Sequence, residues 1–245
     1  MSVKIVDNYY VKRKRKLMRN FEERIEILGD LLRRKFDNAK IDEIVSQLKA
    51  EFEKIIPEIP YIGGQKNPMT ILIIGGMYGL AIFRILEKEG FTLREIGQIF
   101  YEYCDERNKL RKKGLEKIGK DPSQYPFEPE YTDMTRKMSE QSQKRQYPDD
   151  WIMDFVEGDG KLFEWGFNFS QCGIHKVYKR LGAEKYVPFL CLSDFSEANI
   201  LGYGFTRTQI LGCGAPICDH RYVKNLKTPR AWPPDNVEDF KLKLE

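Results

Sequence analysis

Side chains that can do chemistry are concentrated in one short stretch of the chain, GFTRTQILGCGAPICDHRY, from Gly204 to Tyr222. It holds two of the five cysteines, one of the two histidines, two arginines and an aspartate. Such groups serve in proteins as metal ligands, nucleophiles, bases or anchors for anions. The stretch is therefore a candidate for a metal site or a catalytic pocket, and the alternative is a well-packed hairpin.

A metal site is one interpretation of the cysteines and histidines. Cys172 and His175 are three residues apart and share one face of a predicted helix, while Cys218 and His220 share one face of a predicted strand. The chain has no CxxC pair, however, and these spacings match no common zinc pattern. Free cysteines are also often small buried hydrophobes. The sequence predicts neither a bound metal nor a cofactor.

The other face of the last predicted strand carries charge. Asp219 and Arg221 alternate with the cysteine and histidine, and Arg207 on the preceding strand is expected to join them. Arginine presents a planar fork that matches a carboxylate, so both arginines are predicted to bind a small carboxylate ligand. A structural ion-pair network is the alternative. Asp194 is a second candidate carboxylate, and the cysteine face should be the packed one.

These residues need a scaffold, and the first half of the chain is predicted to be helical. Apolar residues recur at steps of three and four from Leu17 to Phe36 and again from Ile41 to Ile55. The run from Met69 to Leu86 is long enough to span a membrane, but three glycines and an arginine favour a buried central helix that begins after Asn67. Thr92 and Glu95 have the spacing of a capping box.

The second half predicts an antiparallel α+β domain with the element order ββααββ. A hairpin turns at Glu157 to Gly160, and two helices follow. The predicted helices are Cys172 to Leu181 and Lys185 to Ile200. The predicted final strands are Gly202 to Leu211 and Ile217 to Val223. The predicted organisation is a helical region (1–120), a connector with an exposed helix over 132–146 (121–147), the α+β domain (148–226) and a C-terminal tail (227–245).

Composition restricts the partners. Lys and Arg number 41 against 37 Asp and Glu, so the net charge of +4 gives no overall field for nucleic acid. The basic run from Lys12 to Lys16 is followed by acidic residues and is typical of a solvated helix face. Five cysteines and a start without signal-peptide features predict a reduced, cytoplasmic protein. We expect neither a nucleic-acid nor a membrane partner, and a homo-oligomer stays open.

Two runs, CGIHKVYKRLGAEKYVPFLCLSDF and TRTQILGCGAPICDHRY, carry a family resemblance. Their order of a cysteine at a helix start, an LCxxD element, an RTxT-like strand and a G…CDxR ending resembles the L-2-amino-thiazoline-4-carboxylic acid hydrolase family. PYIGGQKNPMT, ahead of the central helix, is similar to the corresponding element there, so the resemblance covers roughly residues 57–224. It implies an α+β part similar to 4-vinyl-reductase-type small-molecule-binding domains.

The resemblance also implies an activity, the hydrolysis of a C–N bond in a small cyclic amidine-like carboxylate, which opens a thiazoline ring on the route to cysteine. The residues of this chain that fall on the signature are Cys172, Cys191, Asp194, Arg207, Thr208, Cys218, Asp219 and Arg221. Gln209 and His220 depart from it, since the pattern has threonine and phenylalanine there. The predicted substrate-binding residues are accordingly Arg207, Thr208 and Arg221.

The predicted catalytic residues are Cys172, His175, Asp194 and Asp219. A cysteine at a helix N-terminus gains thiolate character, so Cys172 is the candidate nucleophile and His175, one turn later, its base. Asp194 or Asp219 would orient water or a cationic nitrogen. A non-catalytic protein that binds or senses a small carboxylate is the alternative, because it needs the arginines but no nucleophile.

Overall fold

The computed structural model describes residues 9–232 of the 245-residue chain. Along the described residues, five α-helices are followed by two strands, three helices and two further strands. The predicted α+β fold, with a helical first half and an antiparallel sheet, is therefore confirmed. Buried side chains of the helices and of the sheet belong to one hydrophobic cluster, so both parts pack around a shared core.

The helices of the first half are α1 (Lys14–Leu32), α2 (Asn38–Ile55), α3 (Thr70–Lys88), α4 (Leu93–Lys117) and α5 (Pro129–Ser142). The apolar stripes of α1 and α2 are buried against each other, and the rings of Phe21 and Phe52 lie 4.6 Å apart. The capping box at the start of α4 is confirmed. The Thr92 hydroxyl accepts a hydrogen bond from the Glu95 backbone N–H, and the Glu95 carboxylate accepts one from the Thr92 backbone N–H.

Helix α3 is the central helix. It is long and apolar enough to span a membrane by length and composition, but 67% of that window is buried inside the protein, as in a core helix. It begins at Thr70, later than predicted, because Asn67 caps the turn before it by accepting from the Met69 N–H. A Cβ at Gly76 or Gly79 would lie 2.9 Å from a neighbouring side chain, so these glycines allow the close packing of α3.

The four strands are β1 (Ile152–Glu157), β2 (Trp165–Gln171), β3 (Gly204–Thr206) and β4 (Cys218–Val223). They form one sheet in the order β1-β2-β4-β3, and every neighbouring pair is antiparallel. The predicted hairpin is the β1–β2 pair. In the β2–β4 register, Phe167 is opposite His220. Aromatic residues of β2 therefore stack beside the chemistry-bearing residues of β4.

Strand β3 is shorter than predicted, because a side chain takes the hydrogen bonds that would have extended it. The backbone N–H groups of Thr208 and Gln209 both donate to the Asp219 carboxylate, at 2.9 Å each. The predicted strand from Gly202 to Leu211 therefore ends at Thr206. The residues that follow form a loop that crosses over β4.

The helices between the strands are α6 (Gly173–Arg180), α7 (Val187–Cys191) and α8 (Ser193–Leu201). The single helix predicted from Lys185 to Ile200 is interrupted at Leu192, and Pro188 lies in the first turn of α7, where its missing N–H costs nothing. The first part of the predicted tail packs on the fold: the Ala231 N–H donates to the Tyr101 hydroxyl. Residues 233–245 of that tail lie outside the described residues.

Helix α5 also differs from its prediction. It ends at Ser142 instead of residue 146, and it lies along the outer edge of β1 instead of standing in solvent. The Ser139 hydroxyl donates to Met153 O and accepts from Phe155 N–H, while the Ser142 hydroxyl accepts from Met153 N–H. The helix is polar because its contacts to the strand are hydrogen bonds.

Candidate functional site

A cavity of about 510 Å³ lies between the helical half and the sheet. Its wall is formed by helices α1, α3, α4, α5 and α6, by strands β1, β2 and β4, and by the α7–α8 segment. Most of the wall is apolar or aromatic, and the polar groups are few. A volume within the usual range of about 300–1,000 Å³ and this kind of wall are typical of a small-molecule site.

One polar cluster of the wall consists of Arg207, Asp194 and His220. Arg207 NH1 donates to Asp194 Oδ2 at 2.6 Å and lies 3.3 Å from His220 Nε2, while NH2 donates to the carbonyl of Cys191 at 2.8 Å. The His220 Nε2 and Asp194 Oδ2 atoms are 3.5 Å apart. One guanidinium thus fixes a carboxylate, a histidine and the end of α7.

Asp194 presents its carboxylate to the cavity. Its side chain is 44% exposed, whereas that of Arg207 is 1% exposed, and Asp194 is part of the cavity wall. Protein atoms that surround the carboxylate raise its pKa, but the contact with His220 and the charge of Arg207 outweigh this effect and hold the pKa below its usual value. The cavity therefore contains an ionised carboxylate at neutral pH.

His220 is the titratable group beside the Asp194 carboxylate. Burial lowers the pKa of the imidazole, and the charge of Arg207 contributes to the lowering, so the ring is neutral at pH 7. The ring stacks on Phe167 with the centroids 4.5 Å apart. Among the described residues, His220 Nδ1 and Arg207 Nε are buried without a hydrogen-bond partner. Such buried polar atoms without a partner are rare in native proteins.

Cys172, Cys191 and Cys218 are three of the cysteines that line the same cavity. Burial raises the pKa of all three thiols, that of Cys172 to about 12, so they are protonated at neutral pH. Cys172 does cap α6, since its sulfur accepts from the His175 backbone N–H at 3.4 Å, but this contact does not offset the burial. Within residues 9–232, no group of three His, Cys, Asp or Glu residues is arranged to hold a metal ion.

His175 lies away from this cluster. Its Nε2 atom is 2.8 Å from a Glu184 carboxylate oxygen, and it is not part of the cavity wall. The helix that brings its backbone N–H to Cys172 directs its side chain elsewhere. The expected cysteine–histidine pair is therefore not formed by the side chains.

The charged face of β4 is also separate from the cavity. Asp219 accepts from the backbone and hydroxyl of Thr208, and Arg221 NH1 donates to the Asn168 side chain at 3.0 Å and to the Phe167 carbonyl. The side chains of Thr208, Asp219 and Arg221 are not part of the cavity wall. The expected joining of Arg207 with Asp219 and Arg221 is wrong, because Arg207 follows the end of β3 and turns to the opposite side of the sheet, toward Asp194.

The face with Cys218 and His220 thus borders the cavity, where the sequence indicated tight packing. The L-2-amino-thiazoline-4-carboxylic acid hydrolase family matches the chain over residues 72–222, which is more than half of it.

The chain belongs to this hydrolase family.

No curated protein and no solved structure matches the chain significantly. The similarity to 4-vinyl-reductase-type domains accordingly stays a prediction. The matched range includes Asp194, Arg207 and His220, whereas PYIGGQKNPMT, residues 60–70, precedes it. His220, one of the two residues at which the sequence was expected to depart from the family's pattern, lines the cavity.

Sequence reasoning missed the helix α4 side of the cavity. Cys104, Arg107, Asn108 and Arg111 line the cavity. Their spacing of three, four and seven residues places them on one helix face. That periodic signal is present in the sequence, but charged residues on a long helix usually face solvent, so the fold was needed to assign it.

The raised thiol pKa makes a prediction about Cys172. Relative to a free cysteine with a pKa of about 8.5, a pKa of about 12 lowers the thiolate fraction at pH 7 about 3,000-fold. The greater nucleophilicity of a more basic thiolate recovers about 30-fold of this, so we expect iodoacetamide to alkylate Cys172 about 100-fold more slowly than a free thiol. Peptide mass spectrometry over a time course measures the rate, with the urea-unfolded protein as the control. Alkylation as fast as in urea would support the activated thiolate that the sequence predicts.

Proposed function

We propose that the protein is a hydrolase that adds water to the amidine-like carbon of a small cyclic carboxylate and opens the ring by breaking a C–N bond. The observation that carries the proposal is the cluster of an ionised Asp194 and a neutral His220, held by Arg207 at the wall of a 510 Å³ cavity. Membership of a hydrolase family supports the reaction class. An amino-thiazoline ring is the first substrate to test.

Asp194 would bind the amidine-like end of the substrate. A protonated cyclic amidine presents two N–H groups in a plane, and a carboxylate accepts two parallel hydrogen bonds from such a group. The ion pair with Arg207 keeps the carboxylate ionised, and the Asp194 side chain is 44% exposed at the cavity wall. The carbon between the two nitrogens is thereby fixed next to His220.

His220 would act as the general base. Its neutral imidazole can take a proton from a water molecule while the water oxygen forms a bond to the amidine carbon, which yields a tetrahedral adduct. When the adduct collapses, the imidazolium returns the proton to the ring nitrogen and the C–N bond breaks. The step is balanced without an oxidant or a second substrate, and the imidazole is regenerated.

Cys172 is less suited to start the reaction than the sequence suggested. A protonated thiol is a poor nucleophile, and burial holds the Cys172 thiol in this form. Asp219, Thr208 and Arg221 would act indirectly: their hydrogen bonds hold the loop from Arg207 to Gln209 and the β2–β4 pair that position the cluster. A water-based route therefore explains more of the site than a covalent one.

The proposal is tested by incubating the purified protein with L-2-amino-thiazoline-4-carboxylate and identifying the product by mass spectrometry. We expect ring opening, and a loss of at least about 100-fold in kcat for Asp194→Asn, the low end for a positioned catalytic group. Asp154→Asn, an exposed carboxylate on β1, is the matched control and should retain full activity.

A free thiol in the product, detected with a thiol reagent, would show that the C–S bond breaks instead of the C–N bond. Tight binding of the substrate without any turnover would instead favour the non-catalytic binding protein. Equal turnover by Asp194→Asn and wild type would remove Asp194 from the mechanism.

A further inference from the structure

Two arginines on the helical side of the cavity have no role in the cluster described above. Arg24 on α1 and Arg107 on α4 both belong to the cavity wall. The guanidinium of Arg24 lies 5.1 Å from the ring centre of Tyr78, and that of Arg107 lies 5.8 Å from the ring centre of Tyr103. Tyr103 interacts electrostatically with both arginines, so the two guanidiniums flank the same phenol.

Neither of these guanidiniums forms an ion pair with a carboxylate in the described range 9–232. The other two arginines of the cavity wall are paired, Arg111 with Glu197 and Arg207 with Asp194. Four arginines and two carboxylates line the cavity, so its wall has an excess of two positive charges. Arg24 and Arg107 supply that excess at one place.

The arginines predicted from the sequence cannot easily serve a ligand. Both terminal nitrogens of Arg207 are engaged by Asp194 and Cys191, and its side chain is 1% exposed. Arg221 lies outside the cavity wall, bonded to β2. A carboxylate inside the cavity therefore meets unpaired guanidinium only at Arg24 and Arg107 among the described residues.

We propose that Arg24 and Arg107 bind the carboxylate of the substrate and select anionic over neutral rings. The inference rests on the proposed function, since Asp194 then binds the cationic end of the same zwitterionic molecule. The Cys104 thiol lies within electrostatic range of both Arg107 and Asp194, so the two charged ends belong to one neighbourhood of the cavity. A ring that carries an amidine and a carboxylate matches this arrangement of opposite charges.

The test is a binding experiment that needs no turnover. Thiazolidine-4-carboxylate lacks the amidine C=N bond, and its carboxamide has the same shape without the charge. By calorimetry, wild type is expected to bind the carboxylate at least about tenfold more tightly than the carboxamide, because desolvated charge pairs contribute strongly to affinity. Arg107→Gln should abolish this preference and leave the carboxamide affinity unchanged.

Arg24→Gln, on a different helix, is the second variant and should have the same effect. Arg107→Lys should restore only part of the preference, because lysine lacks the planar fork. Arg136→Gln removes an arginine that pairs with Glu157 outside the cavity and should bind as wild type does. Thermal unfolding of each variant confirms that the folded state is being compared.

The two proposals fail in different ways. If wild type binds the carboxylate and the carboxamide equally, or if both glutamine variants keep the preference, the arginine site is wrong even when ring opening is observed. If the preference depends on both arginines but no ring is opened, the anion site stands and the proposed hydrolysis fails. If ring opening proceeds, the glutamine variants should raise KM by about tenfold or more at nearly unchanged kcat, which is the signature of lost substrate binding.

Discussion

Replacing His220 with glutamine is expected to lower kcat for ring opening by about 10²- to 10⁴-fold, the usual loss for a general base. Glutamine keeps a polar side chain beside Asp194 and Arg207 but cannot take a proton. The folded state should survive, since the ring's main contacts are stacking on Phe167 and long polar contacts. Steady-state kinetics on the folded variant measures the effect.

The pH dependence of the wild-type enzyme provides a second readout of the same residue. Burial lowers the pKa of His220 below its ordinary value of 6.5, and the base works only in its neutral form. Activity should therefore fall as the pH drops through a midpoint below 6.5 and should be constant between pH 7 and 8. His175→Gln, which alters the histidine paired with Glu184, should leave the profile unchanged. Loss of activity in His175→Gln but not in His220→Gln would restore the cysteine–histidine mechanism.

Replacing Arg207 with methionine is expected to destabilise the fold by about 1 to 3 kcal/mol, the scale for leaving a hydrogen-bonded polar group without its partner, because the Asp194 carboxylate is only half-buried. The substitution leaves the Asp194 carboxylate and the Cys191 carbonyl without their donor. It also removes the cation from above the Phe195 ring, 5.2 Å away. Urea unfolding, with the slope compared between variants, measures the loss.

The double variant Arg207→Met/Asp194→Leu separates the two causes of that loss. If an unpaired carboxylate is the main cost, removing it should recover a substantial part of the stability, because replacing both partners by apolar groups is often nearly neutral. If the double variant is as unstable as the single one, the lost packing of the guanidinium and its bond to Cys191 dominate instead.

Local signals predicted most of the secondary structure. The stripe periodicity of α1 and α2, the capping box at Thr92 and the alternation in the β1–β2 hairpin are each contained in a window of at most about twenty residues. The family resemblance also followed from short motifs in the right order, and the family match confirms it.

The assignment of the two faces of β4 required the fold. Alternation shows that Cys218 and His220 share a face, but it does not say whether that face meets a packed core or a cavity. The direction of Arg207 depends on where β3 ends, and this is set by Asp219, eleven residues from Thr208, accepting two backbone N–H groups. A side chain that takes backbone hydrogen bonds from a strand in this way leaves no periodic pattern in the sequence.

Arg24 and Arg107 illustrate a second limit. They lie more than 80 residues apart, on helices that the sequence places in no particular order around the sheet. Their shared position at the cavity is a property of tertiary packing, and each alone has the appearance of an ordinary solvated arginine.

The way α5 is attached to β1 has a consequence for association between molecules. Sheet edges are sites where another chain can add a strand, unless their backbone groups are already occupied. On the β1 edge, both backbone polar groups of Met153 and the N–H of Phe155 are occupied by serine hydroxyls. The opposite edge, β3, is only three residues long. Strand addition is thus hindered at one edge and short-ranged at the other, which disfavours a homo-oligomer built by extending the sheet.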